Sequence, residues 1–321
     1  MKIVIDAMGG DNAPLEIVKG VCASSSSATL ILVGKEDEIK KHLAGYKSKN
    51  KIEIVNATET ISMTESALAI REKKDSSLVV ALNILKKGEA DALISAGSTA
   101  ALVSGATLML KRLLGIKRPS LAVPIPTYTG QTLLMDAGAN MDCKPEYLLQ
   151  FAKLGSTYMS EIGVKNPKIG LLSVGSEDDK GNALTKEAFL LLKDSGLNFK
   201  GNIEAKEVPS GVVDVLVADG FAGNILLKSA EGYLKLMGNI LKKELKSGAV
   251  STIGAALAKP ALNRTKSFFE PSSIGAAWFL GVQSLVLKAH GSSSSKDIVG
   301  AISTCEKLIE QKIIEKLGGA I

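Results

Sequence analysis

Short apolar runs that break at a glycine-bearing polar loop and pass into a helical pattern recur along this 321-residue chain, and that recurrence leaves few folds open. The fullest example is Gly170–Ala188, GLLSVGSEDDKGNALTKEA. Ile169, Leu171, Leu172 and Val174 read as a buried strand, Gly175 breaks it, and a helical pattern begins near Thr185. The same order occurs at DAMGGD after KIVI, at SAGST after ALIS and at ADGFAGN after VVDVLV. Strands alternating with helices predict an α/β fold with a mostly parallel sheet covered on both faces. Loops at the carboxyl ends of parallel strands share one sheet edge, so these four are expected to meet at a single cleft. A helix N-terminus behind a glycine loop favours anions, through free amides and the helix dipole. That points to Gly9, Gly10, Asp11, Gly97, Ser98, Thr99, Asn182, Thr185, Gly220 and Asn224 as ligand-loop residues, with Lys180 as a mobile cation beside them. A plain polar βα loop, or a hydroxyl or carboxylate that only caps its helix, is the other reading of each.

The remaining elements follow the same logic. Thr29–Val33 and Lys51–Val55 read as strands, and Thr58–Leu85 as mostly helical. Leu121–Pro126 and Gln131–Asp136 read as a strand pair around a turn, with Pro124 favouring a sheet edge. A long helix is expected to Ile162, and an amphipathic one over Lys296–Leu317. Ala92–Leu110 is a run of 19 uncharged residues, long enough to cross a bilayer. Its serines, threonines and glycines read better as strand, tight turn and buried helix. The chain starts directly in a strand, with no signal-peptide pattern.

Composition narrows the function. Hydrophobic residues make up 45% of the chain and aromatics 4%, which suits an aliphatic core. Cys22, Cys143 and Cys305 are scattered and form no CxxC, so neither a zinc site nor a disulfide framework is expected and a reducing cytoplasm fits. No GxGxxG or Walker lysine loop is present, which disfavours nucleotide dehydrogenases and NTPases. The net charge of +6 favours anionic partners. No dense Lys/Arg block or aromatic-interleaved basic face argues for nucleic acid. Around Tyr233–Phe269 lysines flank apolar residues. Ile253, Leu257 and Leu262 there suit a membrane surface or an oligomer interface, with burial in the chain's own domain as the alternative.

Six pieces in order, IDAMGGDNAP, SAGSTAAL, DAGANMDCKPE, KGNALTKEA, ADGFAGN and KAHGSS, resemble the PlsX family of phosphate acyltransferases over about residues 3–294. The family usually carries His where this chain has Asn12, and Asn where it has Ser98. The resemblance implies a three-layer α/β/α sandwich like phosphotransacetylase and the isocitrate/isopropylmalate dehydrogenases. It also implies one domain over residues 1–321, with a membrane- or dimer-associated helical insertion at about 233–270. The implied reaction moves a fatty acyl group from acyl carrier protein to inorganic phosphate. The product is an acyl phosphate for a downstream membrane acyltransferase, and neither metal nor cofactor is used. It implies a homodimer that is cytoplasmic and peripherally associated with the membrane. It singles out Lys180 and Asp219 as catalytic, and His290 is a candidate to protonate the leaving thiolate. A short-chain phosphotransacetylase acting on acyl-CoA and a non-catalytic ligand-binding or membrane scaffold are the alternatives.

Overall fold

A computed structural model describes residues 1–269 and 276–319. Residue 270, the end of the expected insertion, the first residues of the IGAAWFLG run and the last two residues of the expected domain lie outside that description. Eleven strands form one sheet in the order β3-β2-β1-β4-β11-β10-β5-β6-β9-β7-β8. They are β1 (Lys2–Asp6), β2 (Thr29–Gly34), β3 (Lys51–Asn56), β4 (Ala92–Ser95), β5 (Ser120–Thr127), β6 (Gly130–Met135), β7 (Ile169–Ser173), β8 (Phe199–Glu204), β9 (Val215–Val217), β10 (Ala277–Leu280) and β11 (Leu285–Lys288).

Side chains alternate across this sheet because successive residues of a strand point to opposite faces. Ile3 and Ile5 pack on one face with α1 (Leu15–Ala23), α6 (Pro145–Glu161), α7 (Ala183–Lys193), α10 (Ser295–Glu310) and α11 (Ile313–Gly319). Val4 and Leu93 face the other way, against α4 (Ser77–Lys86) and α5 (Thr99–Met109). Further along that second face, Leu134 and Leu216 meet the first turns of α8 (Gly220–Glu244). The result is the expected three-layer α/β/α arrangement. The uncharged run at 92–110 is β4, a turn and α5, and no described helix is long and apolar enough to cross a membrane.

Three sequence expectations need correction. Residues 58–68 are turns and irregular backbone rather than helix, pinned by a bridge from Glu59 to Ser76 and by Asp75, which accepts from the Thr58 N–H and hydroxyl at 2.9 and 2.6 Å. Only α3 (Ala69–Glu72) and α4 are helical there. Pro124 does not lie on an edge strand, since β5 sits between β10 and β6. Its missing N–H is tolerated because β10 pairs only with Ser120–Ala122, leaving that side of Pro124 unpaired.

The third correction matters most. β1 to β4 and β11 run parallel, and β6, β9, β7 and β8 run parallel, but the two sets oppose each other. The pairings β11/β10, β10/β5 and β5/β6 are all antiparallel, and three reversals in a row invert the direction. The four glycine loops therefore do not share one carboxyl edge. DAMGGD and SAGST end strands at one rim of the sheet, and SVGSEDDKGN and ADGFAGN end strands at the opposite rim.

Two helices stand apart from this layered body. α8 continues past its buried first turns and exposes Tyr233, Leu236, Met237, Ile240 and Leu241. After it, α9 (Ala249–Phe268) exposes Val250 at 86%, Ile253 at 63% and Leu257 at 80%. Burial of this segment within its own chain, the alternative considered from sequence, is not what the structure shows.

Candidate active site

At the first rim three loops interlock. The Asp11 N–H donates to the Gly291 carbonyl at 2.8 Å, and the Ala289 N–H to Ser95 at 3.0 Å. The Asn12 amide donates to the Ser292 and Ser293 carbonyls at 3.2 and 3.4 Å. Asn12 is thus a loop tie. Gly9 and Gly97 are needed for close approach: a Cβ on Gly9 would collide with the Asp6 carboxylate and come within 2.7 Å of the Gly97 nitrogen. Ser98 caps α5, accepting weakly from the Ala101 N–H at 3.4 Å, so its capping role is present. Thr99 is the first helical residue.

Two charged residues that the sequence reading did not single out lie beneath these loops. Asp6 is buried and accepts from the Ser77 and Ser95 hydroxyls at 2.6 and 2.7 Å. Burial pushes its carboxyl up, against the pull of those hydrogen bonds. Lys288, only 8% exposed, donates to the carbonyls of Ala96 (3.4 Å) and Ala289. Burial and the nearby Lys228 push its amine down to about 8, and Asp6 and Asp11 oppose the shift. The sequence clue to Lys288 was present. It ends an apolar run in KAHGSS, where a lysine cannot stay in water if its strand is central. His290 is exposed, with its Nδ1 at 2.8 Å from the Ser292 hydroxyl.

The second rim carries Lys180 and Asp219 on loops that follow adjacent strands, β7 and β9. Lys180 is exposed at the end of the acidic turn, and Gly181 behind it has a φ of 109°, a backbone suited to glycine. Asn182 caps α7 by accepting from the Thr185 N–H at 2.9 Å, and the Thr185 hydroxyl turns back onto Asn182. The Thr185 hydroxyl is therefore engaged, whereas Asn182 takes part as an acceptor and its amide N–H groups enter none of these bonds. Asp219 caps α8, accepting from the Ala222 N–H at 2.8 Å through one oxygen. Gly220 and Gly223 let α8 dock, since a Cβ at either would strike the backbone of Asn140 or Asp136. Close packing requires a glycine at 220, and Asn224 lies against Gly138. Beside this rim, the Ser173 hydroxyl and the Asn202 side-chain oxygen are buried with no hydrogen-bond partner among the described residues. Asn202 donates to the Glu177 carbonyl at 2.7 Å, so it braces the Lys180 loop; sequence reading missed it because its strand, β8, was not anticipated.

The candidate residues thus fall into two groups: Gly9, Gly10, Asp11, Gly97, Ser98, Thr99 and His290 at one rim, and Lys180, Asn182, Thr185, Asp219, Gly220 and Asn224 at the other. α8 links them. It starts at Asp219, and its Lys228 lies close enough to Lys288 to depress that amine. Among the described residues, no three of His, Cys, Asp and Glu come together as a metal site would need.

The profile of the family described as fatty acid synthesis protein matches residues 1–316. The chain belongs to that family. A phosphate acyltransferase from Clostridium acetobutylicum is 47% identical over 99% of this chain and 98% of its own length. Another family member, the phosphate acyltransferase of Thermoanaerobacterium thermosaccharolyticum, is 44% identical over 99% and 96%. Among solved structures, a phosphotransacetylase from Streptococcus pyogenes superposes with a TM-score of 0.62 at 20% identity, covering 97% of this chain and 94% of that one. A 4-hydroxythreonine-4-phosphate dehydrogenase from Klebsiella pneumoniae superposes at 0.55 and 13% identity, covering 96% and 99%. At such identities these likenesses speak for the fold alone. They agree with the α/β/α architecture expected of the family.

Proposed function

We propose that this chain moves a fatty acyl group from an acyl carrier protein thioester to inorganic phosphate and releases acyl phosphate. The observation that carries the reading is the match, along nearly the whole chain, to relatives named phosphate acyltransferase at 44–47% identity. A phosphate oxygen attacks the thioester carbonyl carbon, the carbon–sulfur bond breaks, and the departing thiolate takes a proton. Phosphate needs positioning and partial desolvation more than activation. The tetrahedral oxyanion needs preorganised donors, and the exposed Lys180 ammonium is the side chain assigned to it. Asp219 has one oxygen on its helix cap; the other is assigned to orienting Lys180 or accepting a phosphate proton. Exposed His290 is assigned to the thiolate. Because the attacking phosphate oxygen must reach the carbonyl carbon, Lys180, Asp219 and His290 are assigned to one adjacent pair of substrates lying between the two groups along α8.

Incubation with palmitoyl carrier protein and phosphate tests the reading, with hydroxylamine-reactive acyl phosphate as the expected product. Absence of product would remove it. Turnover of short acyl-CoA alone would favour a phosphotransacetylase, and turnover of neither a non-catalytic scaffold.

The exposed apolar residues of α8 and α9 support two further parts of this reading. Tyr233, Leu236, Met237, Ile240 and Leu241 recur at helical spacing and form one stripe, which we assign to a homodimer contact. Val250, Ile253 and Leu257 form a second stripe, which we assign to a membrane surface; Leu262, expected to join it, is half-buried. A peripheral location on the membrane would bring a lipophilic product near the downstream acyltransferase. The positive charge of the chain complements an acidic carrier protein. Ile253→Glu/Leu257→Glu is expected to abolish cosedimentation with anionic liposomes while leaving acyl phosphate formation in detergent-free solution within about twofold, since placing charge on an interfacial face costs binding only. Unchanged cosedimentation would count against the membrane assignment.

A further inference from the structure

We propose that Lys288, with the loops at Gly10 and Ser98, grips inorganic phosphate at the first rim. The proposal rests on the reading above for the identity of its ligand. Its grounds are structural. A lysine is seldom buried without a carboxylate, because desolvating the ammonium is costly unless an anion compensates. Lys288 is buried at the end of central strand β11, and among the described residues no carboxylate forms an ion pair with it. Two carbonyls take two of its three N–H groups. Asp6, at the end of β1 two strands away, is spent on two serine hydroxyls and on the Met8 N–H.

The surroundings complete an anion cradle. One of the lysine's carbonyl partners, Ala96, immediately precedes the Gly97–Ser98 turn that opens α5, an 11-residue helix whose N-terminal dipole adds to the field. Gly10, with a φ of 109°, passes so close to Ala96 and to the Gly291 carbonyl that a side chain there would strain the turn. Lys228 on α8, exposed and paired with Glu231 at 2.8 Å, adds a like charge that disfavours the Lys288 ammonium. The charged groups whose fields meet at Lys288 are Asp6 and Asp11 from the β1 side and Lys228 from α8.

Inorganic phosphate is the probe. Wild-type protein should melt at a higher temperature as phosphate is added, since a ligand that binds only the folded state stabilises it. Lys288→Gln keeps a donor for the carbonyls but no charge, and Lys288→Met keeps neither. Both should lose the phosphate-dependent shift. Each should raise the KM for phosphate tenfold or more with little change in the KM for the acyl donor. A purely structural lysine would lower the melting temperature without touching that ratio. Either folded variant retaining the wild-type phosphate shift would overturn the proposal. Should both fail to fold, the wild type decides. Sulfate, whose charge is constant over the range, should protect it well at pH 7 and much less at pH 9.5, as the amine loses its proton near pH 8. Equal protection at the two values would overturn the proposal. Because binding is read without turnover, these outcomes stand apart from any failure to form acyl phosphate.

Discussion

Lys180→Ala is expected to cut acyl phosphate formation by a factor on the order of 10²–10³, the cost of losing one preorganised donor at a developing oxyanion. The melting temperature should not move, because the Lys180 side chain is exposed and no described fold contact depends on it. Reading both quantities separates chemistry from stability, which a loss of activity alone cannot do. Asp219 needs a finer probe, because its carboxylate also caps α8. Asp219→Ala should lose about 1 kcal/mol of stability from the cap as well as activity. Asp219→Asn still offers an oxygen to the Ala222 N–H, so its stability should stay near wild type. If Asp219→Asn retains full activity, the carboxylate is a cap and nothing more. Wild-type rates in Lys180→Ala would remove that residue from the mechanism.

The sequence made the layered α/β/α fold legible because its signals are local. Ile3, Val4 and Ile5 show a strand covered on both faces, and Gly34, Gly97 and Gly181 mark where strands give way to helices. What it did not show was direction. The convergence of four glycine loops assumed one parallel sheet, and the reversal was carried by a hairpin whose two strands were anticipated and by β10, which was not. A strand pair joined by a short turn implies an inversion, and following it through the sheet would have required knowing that β10 inserts between β11 and β5. That is a long-range pairing with no local mark. Lys288 was overlooked for the same reason: its burial follows from the central position of β11, which only the assembled sheet reveals.

Asp219 and Lys180 on one side and Lys288 on the other then acquire a common dependence on how firmly α8 is seated. The helix joins the second rim through the 136–140 turn, where the Gly220 N–H donates to the Asn140 carbonyl at 2.7 Å. The same helix carries Lys228 toward Lys288. A change that loosens the turn should disturb both groups of candidate residues, even though they lie at opposite rims.

Asp136 is where that dependence can be measured, and its loss should be the most destabilising single change considered. It is fully buried at the end of β6, beside the β5 strand that carries the reversal of the sheet. One oxygen accepts from the Leu121 N–H at 2.7 Å, and the other from the Asn140 N–H and side-chain amide at 2.6 and 2.9 Å. Burial pushes its carboxyl up, and these donors hold it back, Asn140 foremost. Asp136→Ala would orphan the buried Leu121 N–H and take the acceptor from two part-buried Asn140 donors, so a loss of about 2–3 kcal/mol is expected in chemical denaturation. Asp136→Asn, almost isosteric, should not rescue it. Whichever way the amide turns, its NH₂ faces N–H donors from Leu121 or Asn140, replacing an acceptor with a repulsion. If Asp136→Asn denatures like the wild type, the carboxylate is not the tie between β5 and the 136–140 turn. If it is destabilised, activity should fall before global unfolding, because α8 is seated on that turn and loosens first.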